Sequence, residues 1–404
     1  MLGKVGESRR RGKRGACAAL AAVGSGLLVG NAQADPIRLR ADAIADTQSE
    51  TQSPTGLIVL QGQDKMRPWL DAEGLVWAGA KPDATGDVLV LAIHLRELHG
   101  YGDLRVGRFV LATGAVFPVQ LDGADGIGRT PWGSSLEAFG GVPVVPRFGS
   151  RAYDWLVGAR LAQTLAKVTV GFSYIQRREY GDISNQELGA DLGAVPFRWL
   201  DVAAKAAYDL TSPGIADARL SAAVRVGAVR TELFASEQSP GRLLPATSLF
   251  SVLGDFPSQR IGGTVRWWAA PRLDVLVSGA GQLVGHELGG NGWIRSTLRL
   301  DDRGSGSLGV EVRRVEVTTA RWTGVRLVGA RSLGGGFRFA SEIEIVVPDE
   351  PNGRGVAWPW GLMACSWRST SGWEVAGAIE AASSPQYRYE ANALARISRT
   401  LEFR

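Results

Sequence analysis

The stretch 335–347 reads Gly-Gly-Phe-Arg-Phe-Ala-Ser-Glu-Ile-Glu-Ile-Val-Val, in which apolar and polar residues alternate. Ile343 and Ile345 fall on one parity, and Glu342 and Glu344 fall on the other. A period of two is typical of a β-strand whose two faces differ in polarity. Because more than ten such segments follow one another, their apolar faces need either a second sheet or an apolar solvent. A transmembrane barrel meets that need, since lipid lies outside it and its lumen is polar.

The first 34 residues are predicted to be a cleaved secretory signal peptide. Basic residues fill their first part, an apolar run covers 16–30, and residues 32–34 form a small-residue cleavage site. The apolar run is too short to span about 30 Å of hydrocarbon, which argues against a membrane anchor. A general secretion signal is the first interpretation, and the arginine cluster leaves a twin-arginine route open. Residues 35–404 are predicted to form a single barrel domain, because no Pro/Gly/Ser linker divides them.

The net charge of +5 comes from this leader, which contains six basic residues and one acidic residue. The remaining chain is therefore neutral and has no basic domain or tail, so nucleic acid is not a predicted partner. Cys365 is the one cysteine after the leader, which excludes an intrachain disulfide.

The alternating segments predict an all-β, antiparallel up-and-down barrel of about 18–20 strands, within a range of 16–20. Counted back from the C-terminus, alternate connections are short, namely those at 369–372, 331–335, 301–306 and 270–272. The connections between them are mostly longer, namely 348–355, 284–292 and 237–258, with 318–321 and 383–386 as exceptions. Outer-membrane barrels have short periplasmic turns and longer external loops, so this sorting favours a barrel over a soluble sandwich.

Aromatic residues near the strand ends predict two interfacial belts. The external belt is predicted to contain Trp293, Trp322, Trp358, Trp360, Tyr387 and Tyr389. The periplasmic belt is predicted to contain Phe337, Phe339, Trp373 and Phe403.

The segment from Tyr387 to Phe403 resembles the terminal strand of bacterial outer-membrane barrel proteins, which usually ends in an aromatic residue. Arg404 follows that aromatic residue here, which departs from the pattern. A second segment, 104–126, is similar to a stretch of alginate-export and related porins. It contains Leu-Arg-Val-Gly-Arg followed by Leu-Asp-Gly. The resemblance implies a porin-type barrel in which a strand is followed by a loop that returns into the lumen.

If the apolar parity faces lipid, the other parity lines the lumen. The lumen-lining candidates are Arg225, Arg266, Asp274, Arg295, Arg299, Glu311, Arg313, Arg326, Arg338, Glu342 and Glu344. Charges of both signs set a field across a pore and orient polar solutes, or they pair with one another and fill a wet interior.

Two longer connections are candidates for constriction loops. The first, 112–133, contains Asp122, Asp125 and Arg129. The second, 237–258, contains Arg242 and Asp255 beside several leucines, and is too apolar for a freely solvated loop. The second connection is predicted to fold inward, to pack on the rim or to contact a partner.

The sequence contains few residues in patterns that are typical of an enzyme active site. The sequence gives no reason to place any two of the histidines His94, His99 and His286 together, and no serine elbow, metal-spaced cluster or phosphate loop is present. The sequence therefore predicts no catalytic residue, no metal site and no cofactor.

These observations predict a channel for hydrophilic solutes in the bacterial outer membrane, with Arg and Glu residues along its lumen. The predicted partners are outer-membrane lipid, the barrel-assembly machinery and small hydrophilic solutes. The alternatives are a non-conducting barrel that acts as a scaffold or surface-interaction protein, and a soluble secreted β-sandwich or propeller.

Overall fold

A computed structural model describes residues 37–48, 55–67, 69–81, 83–98, 100–144, 154–239, 258–317, 320–350, 356–383 and 390–403. The predicted signal peptide lies outside these ranges, as do Arg242, Asp255, Tyr387 and Tyr389. Within them the regular structure is entirely β. No helix in these ranges is long and apolar enough to cross a membrane.

Twenty-two strands follow one another in the described chain. They are β1 (Ile37–Gln48), β2 (Thr55–Arg67), β3 (Leu70–Lys81), β4 (Asp83–Leu98), β5 (Gly102–Leu111), β6 (Val119–Arg129), β7 (Ser134–Pro143), β8 (Trp155–Leu165), β9 (Val168–Glu179), β10 (Asp182–Phe197), β11 (Leu200–Asp209), β12 (Gly214–Val226), β13 (Val229–Gln238), β14 (Ser258–Ala270), β15 (Leu273–Val284), β16 (Glu287–Arg299), β17 (Gly306–Val317), β18 (Ala320–Gly334), β19 (Phe337–Pro348), β20 (Trp358–Arg368), β21 (Trp373–Ala382) and β22 (Glu390–Phe403).

Each strand pairs antiparallel with the next one in sequence, and β1 pairs with β22. The closing register runs from Ile37 opposite Phe403 to Gln48 opposite Asn392. Closure satisfies the backbone N–H and C=O groups that an open sheet would leave at its two edges. The predicted class, a closed antiparallel up-and-down barrel, is therefore confirmed.

The strand number is higher than the predicted 18–20. The sequence prediction treated β6 as part of a loop, because its three glycines and two aspartates obscure the alternation. It also joined β12 and β13 into one long strand. Their connection is a tight turn in which Gly227 has a φ of +56°, a conformation that glycine adopts without strain.

The predicted sorting of connections is present. Those after even-numbered strands are short, and the longest of them joins Arg299 to Gly306. Those after odd-numbered strands include the longest, from Gln238 to Ser258. One prediction was wrong: Val284 and Glu287 are joined by a tight turn, where a long connection at 284–292 was expected. The glycines that suggested that loop belong to β16 and pair with β15.

The short turns are stabilised by their own polar side chains. Between β16 and β17, Asp301 accepts a 2.9 Å hydrogen bond from the backbone N–H of Ser305 and another from its hydroxyl. The hydroxyl bond favours the carboxylate and lowers the pKa of Asp301. Arg272, in the neighbouring turn between β14 and β15, binds Asp302 of this turn at 2.8 Å.

One face of the sheet is apolar and uncovered, and we call it the apolar face. A hydrogen-bonded row of this face crosses β14 to β19 through Val265, Val277, Ile294, Val312, Val325 and Ile345. Their side chains are 39% to 48% exposed, so no described part of the chain packs over them. A second sheet, the soluble alternative, is therefore absent from the described structure on this face. The opposite face carries most of the charges, and we call it the polar face.

The buried core is small and lies on the polar face of the first half of the chain. Phe109, Leu121, Leu156 and Ile175 are almost completely buried. They lie on β5, β6, β8 and β9, beneath the connection that joins β5 to β6.

The polar face and the segment that covers part of it

The predicted lumen residues lie together on the polar face. A single hydrogen-bonded row, which we call the charged row, crosses nine strands from β12 to β20. Its members are Arg225, Arg230, Arg266, Leu276, Arg295, Glu311, Arg326, Glu344 and Trp360. The other predicted residues, Asp274, Arg299, Arg313, Arg338 and Glu342, fall on the same parity of their strands.

The charged row climbs the barrel wall. Arg225 is next to the last residue of β12, at the rim with the short turns, whereas Trp360 is near the start of β20, at the opposite rim. Hydrogen-bonded rows run across the strands, and barrel strands tilt by roughly 40° from the axis. Nine strands about 4.8 Å apart therefore carry the row upward by roughly 25 Å. This rise is close to the height of the apolar band of an outer-membrane barrel.

Glu311 is the centre of the largest ion-pair network in the charged row. Its side chain is 3% exposed and accepts hydrogen bonds from two guanidinium groups, Arg295 Nε at 2.6 Å and Arg313 Nε at 3.1 Å. Arg313 also lies 3.9 Å from Glu344. Burial opposes the ionised form of a carboxylate, and two flanking arginines compensate for that cost.

The remaining predicted residues divide into paired and unpaired groups. Arg326 binds Glu342, and Arg266 binds Asp274 at 2.5 Å. Arg225 lies over the ring of Trp268, with Cζ 5.6 Å from its centroid. Within the described ranges, three predicted arginines, Arg225, Arg299 and Arg338, contact no carboxylate.

The connection between β5 and β6, residues 112–118, lies against the polar face of β7 to β10. Gly114 has a φ of +53°, and a Cβ at this position would be 2.9 Å from Asp191 Oδ2 and 2.9 Å from Ser173 Oγ. Only a residue without a side chain fits so close to the sheet. The segment is anchored at both ends, because Thr113 donates to Glu137 and the N–H of Phe117 donates to Glu187 at 3.2 Å.

The face beneath this segment contains an ion pair that spans three strands. Arg160 on β8 binds Asp191 on β10, with Nη2 and Oδ1 2.6 Å apart. The pair passes over Gly171 of β9, where a Cβ would lie 2.6 Å from the guanidinium. Side chains that meet across an intervening strand converge, as they do on the concave side of a curved sheet.

The predicted constriction residues of the first loop are not in a loop. Asp122, Asp125 and Arg129 lie on β6. Asp125 and Arg129 have the parity of the polar face, while Asp122 has the opposite parity and binds Arg108 at 2.6 Å. The covering segment is the short stretch before this strand. It is the first part of the predicted loop 112–133. Its sequence has no charge, so the charged residues predicted for the constriction lie outside it.

Four tryptophans predicted for the external belt lie on the polar face instead. The side chains of Trp293, Trp322 and Trp358 are half-buried. The register places them on the same face of the sheet as Arg313, and Trp360 is a member of the charged row. A position near a strand end does not reveal the face, which depends on the register. Phe339 and Trp373, predicted for the other belt, do lie on the apolar face.

Sequence reasoning also missed several members of the polar face. Arg160 and Asp191 lie on strands whose alternation is interrupted by alanine and glycine. Arg230 lies on β13, which the sequence prediction joined to β12. His94 pairs with Asp71 on the adjacent strand, and His286 lies in the turn between β15 and β16. The third predicted histidine, His99, lies outside the described residues. No group of three metal-binding side chains occurs in the described ranges.

No family model and no curated protein matches the sequence. Solved structures do match the fold. The ferric citrate transporter FecA aligns over 92% of this chain and 80% of its own, with a TM-score of 0.58 and 7% identity. The copper transporter OprC aligns over 91% and 80%, with a TM-score of 0.54 and 9% identity. OccD3 of Pseudomonas aeruginosa aligns over 91% of each chain, with a TM-score of 0.45 and 10% identity. The first two likenesses show that the chain has the fold of an outer-membrane β-barrel.

Proposed function

We propose that this protein is a channel of the bacterial outer membrane through which hydrophilic solutes pass. The observation that carries the proposal is the pair of adjacent rows on β14 to β19. One row is apolar and uncovered, and the other contains arginines and glutamates in ion pairs. In a closed barrel one of these faces lines the lumen. Charged groups in contact with hydrocarbon are costly, so we assign the apolar face to lipid and the polar face to a water-filled lumen.

The lumen of such a barrel is wide. Twenty-two strands about 4.8 Å apart, tilted by roughly 40°, enclose a barrel about 45 Å across between opposite backbones. Side chains alone do not close this space, so passage is controlled by segments that fold inward. Residues 112–118 are such a segment, because they occupy the polar face of β7 to β10. We therefore assign the constriction to 112–118 and the facing charged row.

The ion pairs suit a channel for polar solutes. Arg299 and Arg338, without carboxylate partners in the described ranges, add positive potential near the short-turn rim. Paired charges of both signs, such as Arg326 with Glu342, supply hydrogen-bond donors and acceptors along the path. Solutes pass without chemical conversion in this proposal, and no cofactor takes part.

Export and assembly belong to the same proposal. The leader at 1–34 directs the chain across the inner membrane, and the barrel-assembly machinery inserts the remainder into outer-membrane lipid. The short-turn rim, where both ends of the barrel lie, faces the periplasm.

Planar-bilayer recording of the purified, heat-modifiable protein tests the proposal. A water-filled lumen predicts steady conductance steps proportional to salt concentration. Silence at all voltages, from protein that is folded by its gel mobility, would favour a plugged scaffold instead. Recovery of the protein as a soluble periplasmic species would contradict both.

A further inference from the structure

Four tryptophans on the polar face of β16, β18 and β20 are a feature that the ion pairs of the charged row do not explain. Trp293, Trp322, Trp358 and Trp360, which we call the tryptophan set, lie on β16, β18 and β20. Trp322, Trp358 and Trp360 are near the rim with the long connections, and Trp293 is at the middle of β16. Alternate strands are about 10 Å apart, so this interval separates β16, β18 and β20 around the wall. Trp358 and Trp360 are two residues apart on one strand. Each side chain is half-buried and therefore keeps part of its ring uncovered.

The local structure presents these rings instead of hiding them. A Cβ at Gly324 would lie 3.0 Å from Cζ3 of Trp322 and 3.4 Å from Oε1 of Glu344. The indole of Trp322 therefore lies along the wall, over the glycine and beside a carboxylate. Trp360 donates a 2.5 Å hydrogen bond from Nε1 to Glu380, which fixes its ring on the same face.

The charges between the tryptophans balance one another. Arg295 and Arg313 share Glu311, Arg313 also lies 3.9 Å from Glu344, and Arg326 binds Glu342, which gives three arginines and three glutamates. An anion would compete with these carboxylates for the guanidinium groups. A neutral solute rich in hydroxyl groups has no such competition, because it accepts from free guanidinium N–H groups and donates to carboxylate oxygens.

We infer that the tryptophan set is a binding track for neutral carbohydrate rings near the external mouth. A sugar ring has one surface of C–H groups, which stacks on an indole face, and an edge of hydroxyl groups, which fits the neighbouring ion pairs. The inference rests on the proposed function, since the rings are reached through a water-filled lumen. It deepens that function by naming a class of solute.

Single-channel recording with maltohexaose tests the track. The sugar should produce resolved current blockades, and Trp322→Ala with Trp358→Ala should shorten their residence time by about tenfold. Trp267→Ala is the matched control, because this tryptophan is 50% exposed on the apolar face. It should leave the blockades unchanged. Trp322→Phe should retain most of the residence time, which separates loss of stacking from loss of structure.

Other probes distinguish the ligand chemistry. Polyethylene glycol of similar size is neutral and hydroxyl-poor and should give no resolved blockades. Hexagalacturonate should block for shorter times than maltohexaose. Equal residence times in the parent and the double variant, or longer blockades by either competing probe, would overturn the inference.

Binding is also measurable if the channel is silent. Maltohexaose should change the tryptophan fluorescence of protein in lauryldimethylamine oxide, a detergent without a sugar headgroup, and the double variant should lose the change. Absence of conductance together with retained maltohexaose binding would refute the proposed channel but support the binding track. Conductance without sugar-dependent blockade or fluorescence change would keep the channel and refute the track.

Discussion

The close approach of residues 112–118 to the wall makes Gly114 a sensitive position. We predict that Gly114→Val displaces the segment and enlarges the conductance step. Valine would bring a Cβ to 2.9 Å from Asp191 Oδ2 and from Ser173 Oγ, and would have to adopt a φ of +53°.

The free-energy cost of this substitution is similar to the free energy of the contacts that hold the segment against the wall. Overpacking costs about 1–3 kcal/mol, and a β-branched residue at positive φ adds roughly 1–2 kcal/mol. The segment is held by the hydrogen bonds of Thr113 and Phe117, about 1–3 kcal/mol each, and by the burial of Val116, about 1.5 kcal/mol. Because these quantities are of similar size, the segment should leave its position in a large fraction of the molecules.

Planar-bilayer recording measures the effect. Larger or fluctuating conductance steps are expected for Gly114→Val. Gly227→Val is the control, because Gly227 has a nearly equal φ of +56° but no atom within 4 Å of a new Cβ. It should conduct like the parent. Parent-like steps in both variants would refute the placement of the segment in the conducting path.

Three further predictions concern the two faces. Arg299→Glu together with Arg338→Glu should shift the reversal potential in a salt gradient toward cation selectivity, because four charge units change in the lumen. Glu311→Gln should lower the temperature at which the folded gel band disappears, since it leaves two arginines at a buried position with a weaker partner, at a cost of roughly 3–5 kcal/mol. Val310→Arg should destabilise the barrel in lipid by about 2–4 kcal/mol in reversible denaturant unfolding, because this side chain faces hydrocarbon.

Each of these predictions has a matched control. Arg331→Glu changes charge on the apolar parity and should leave the reversal potential unchanged. Glu316→Gln alters an exposed carboxylate and should leave the transition temperature within the error of the parent. Ser278→Arg places the same new charge on the polar face of β15 and should cost little. Equal effects in a variant and its control would contradict the assignment of faces.

The barrel itself could be predicted from the sequence because alternation acts strand by strand. In 335–347 five apolar residues share one parity, interrupted only by Ser341, and the structure gives their side chains one exposed face. They are Phe337, Phe339, Ile343, Ile345 and Val347. Strands rich in alanine and glycine carry no such signal. β6 was missed for that reason, and β12 and β13 were joined because the turn at Gly227 has no proline, asparagine or aspartate.

The candidate site was predictable in its parity but not in its arrangement. Glu311 and Glu344 could be assigned to the charged face from their own strands. In the charged row Glu311 lies between Arg295 and Arg326, and this arrangement follows only from the register of β16 to β18. The tryptophans were also predictable only in part. The sequence places Trp322 near a strand end, but only the register shows that it lies on the polar face. The covering segment 112–118 depends on contacts with β10, about seventy residues later in the chain.

Neighbouring residues of β20 offer the most direct test of the central claim that hydrocarbon covers one face and water the other. Cys365 is exposed on the apolar face, and Ala364 has the parity of the polar face. In a chain without Cys17, Cys365 should resist a membrane-impermeant, water-soluble thiol reagent in lipid vesicles, and a fluorophore attached there should be quenched by lipid nitroxides. A cysteine at 364, with Cys365→Ser, should react with the reagent and escape the quenchers. The opposite pattern, or equal labelling of both positions, would contradict the account.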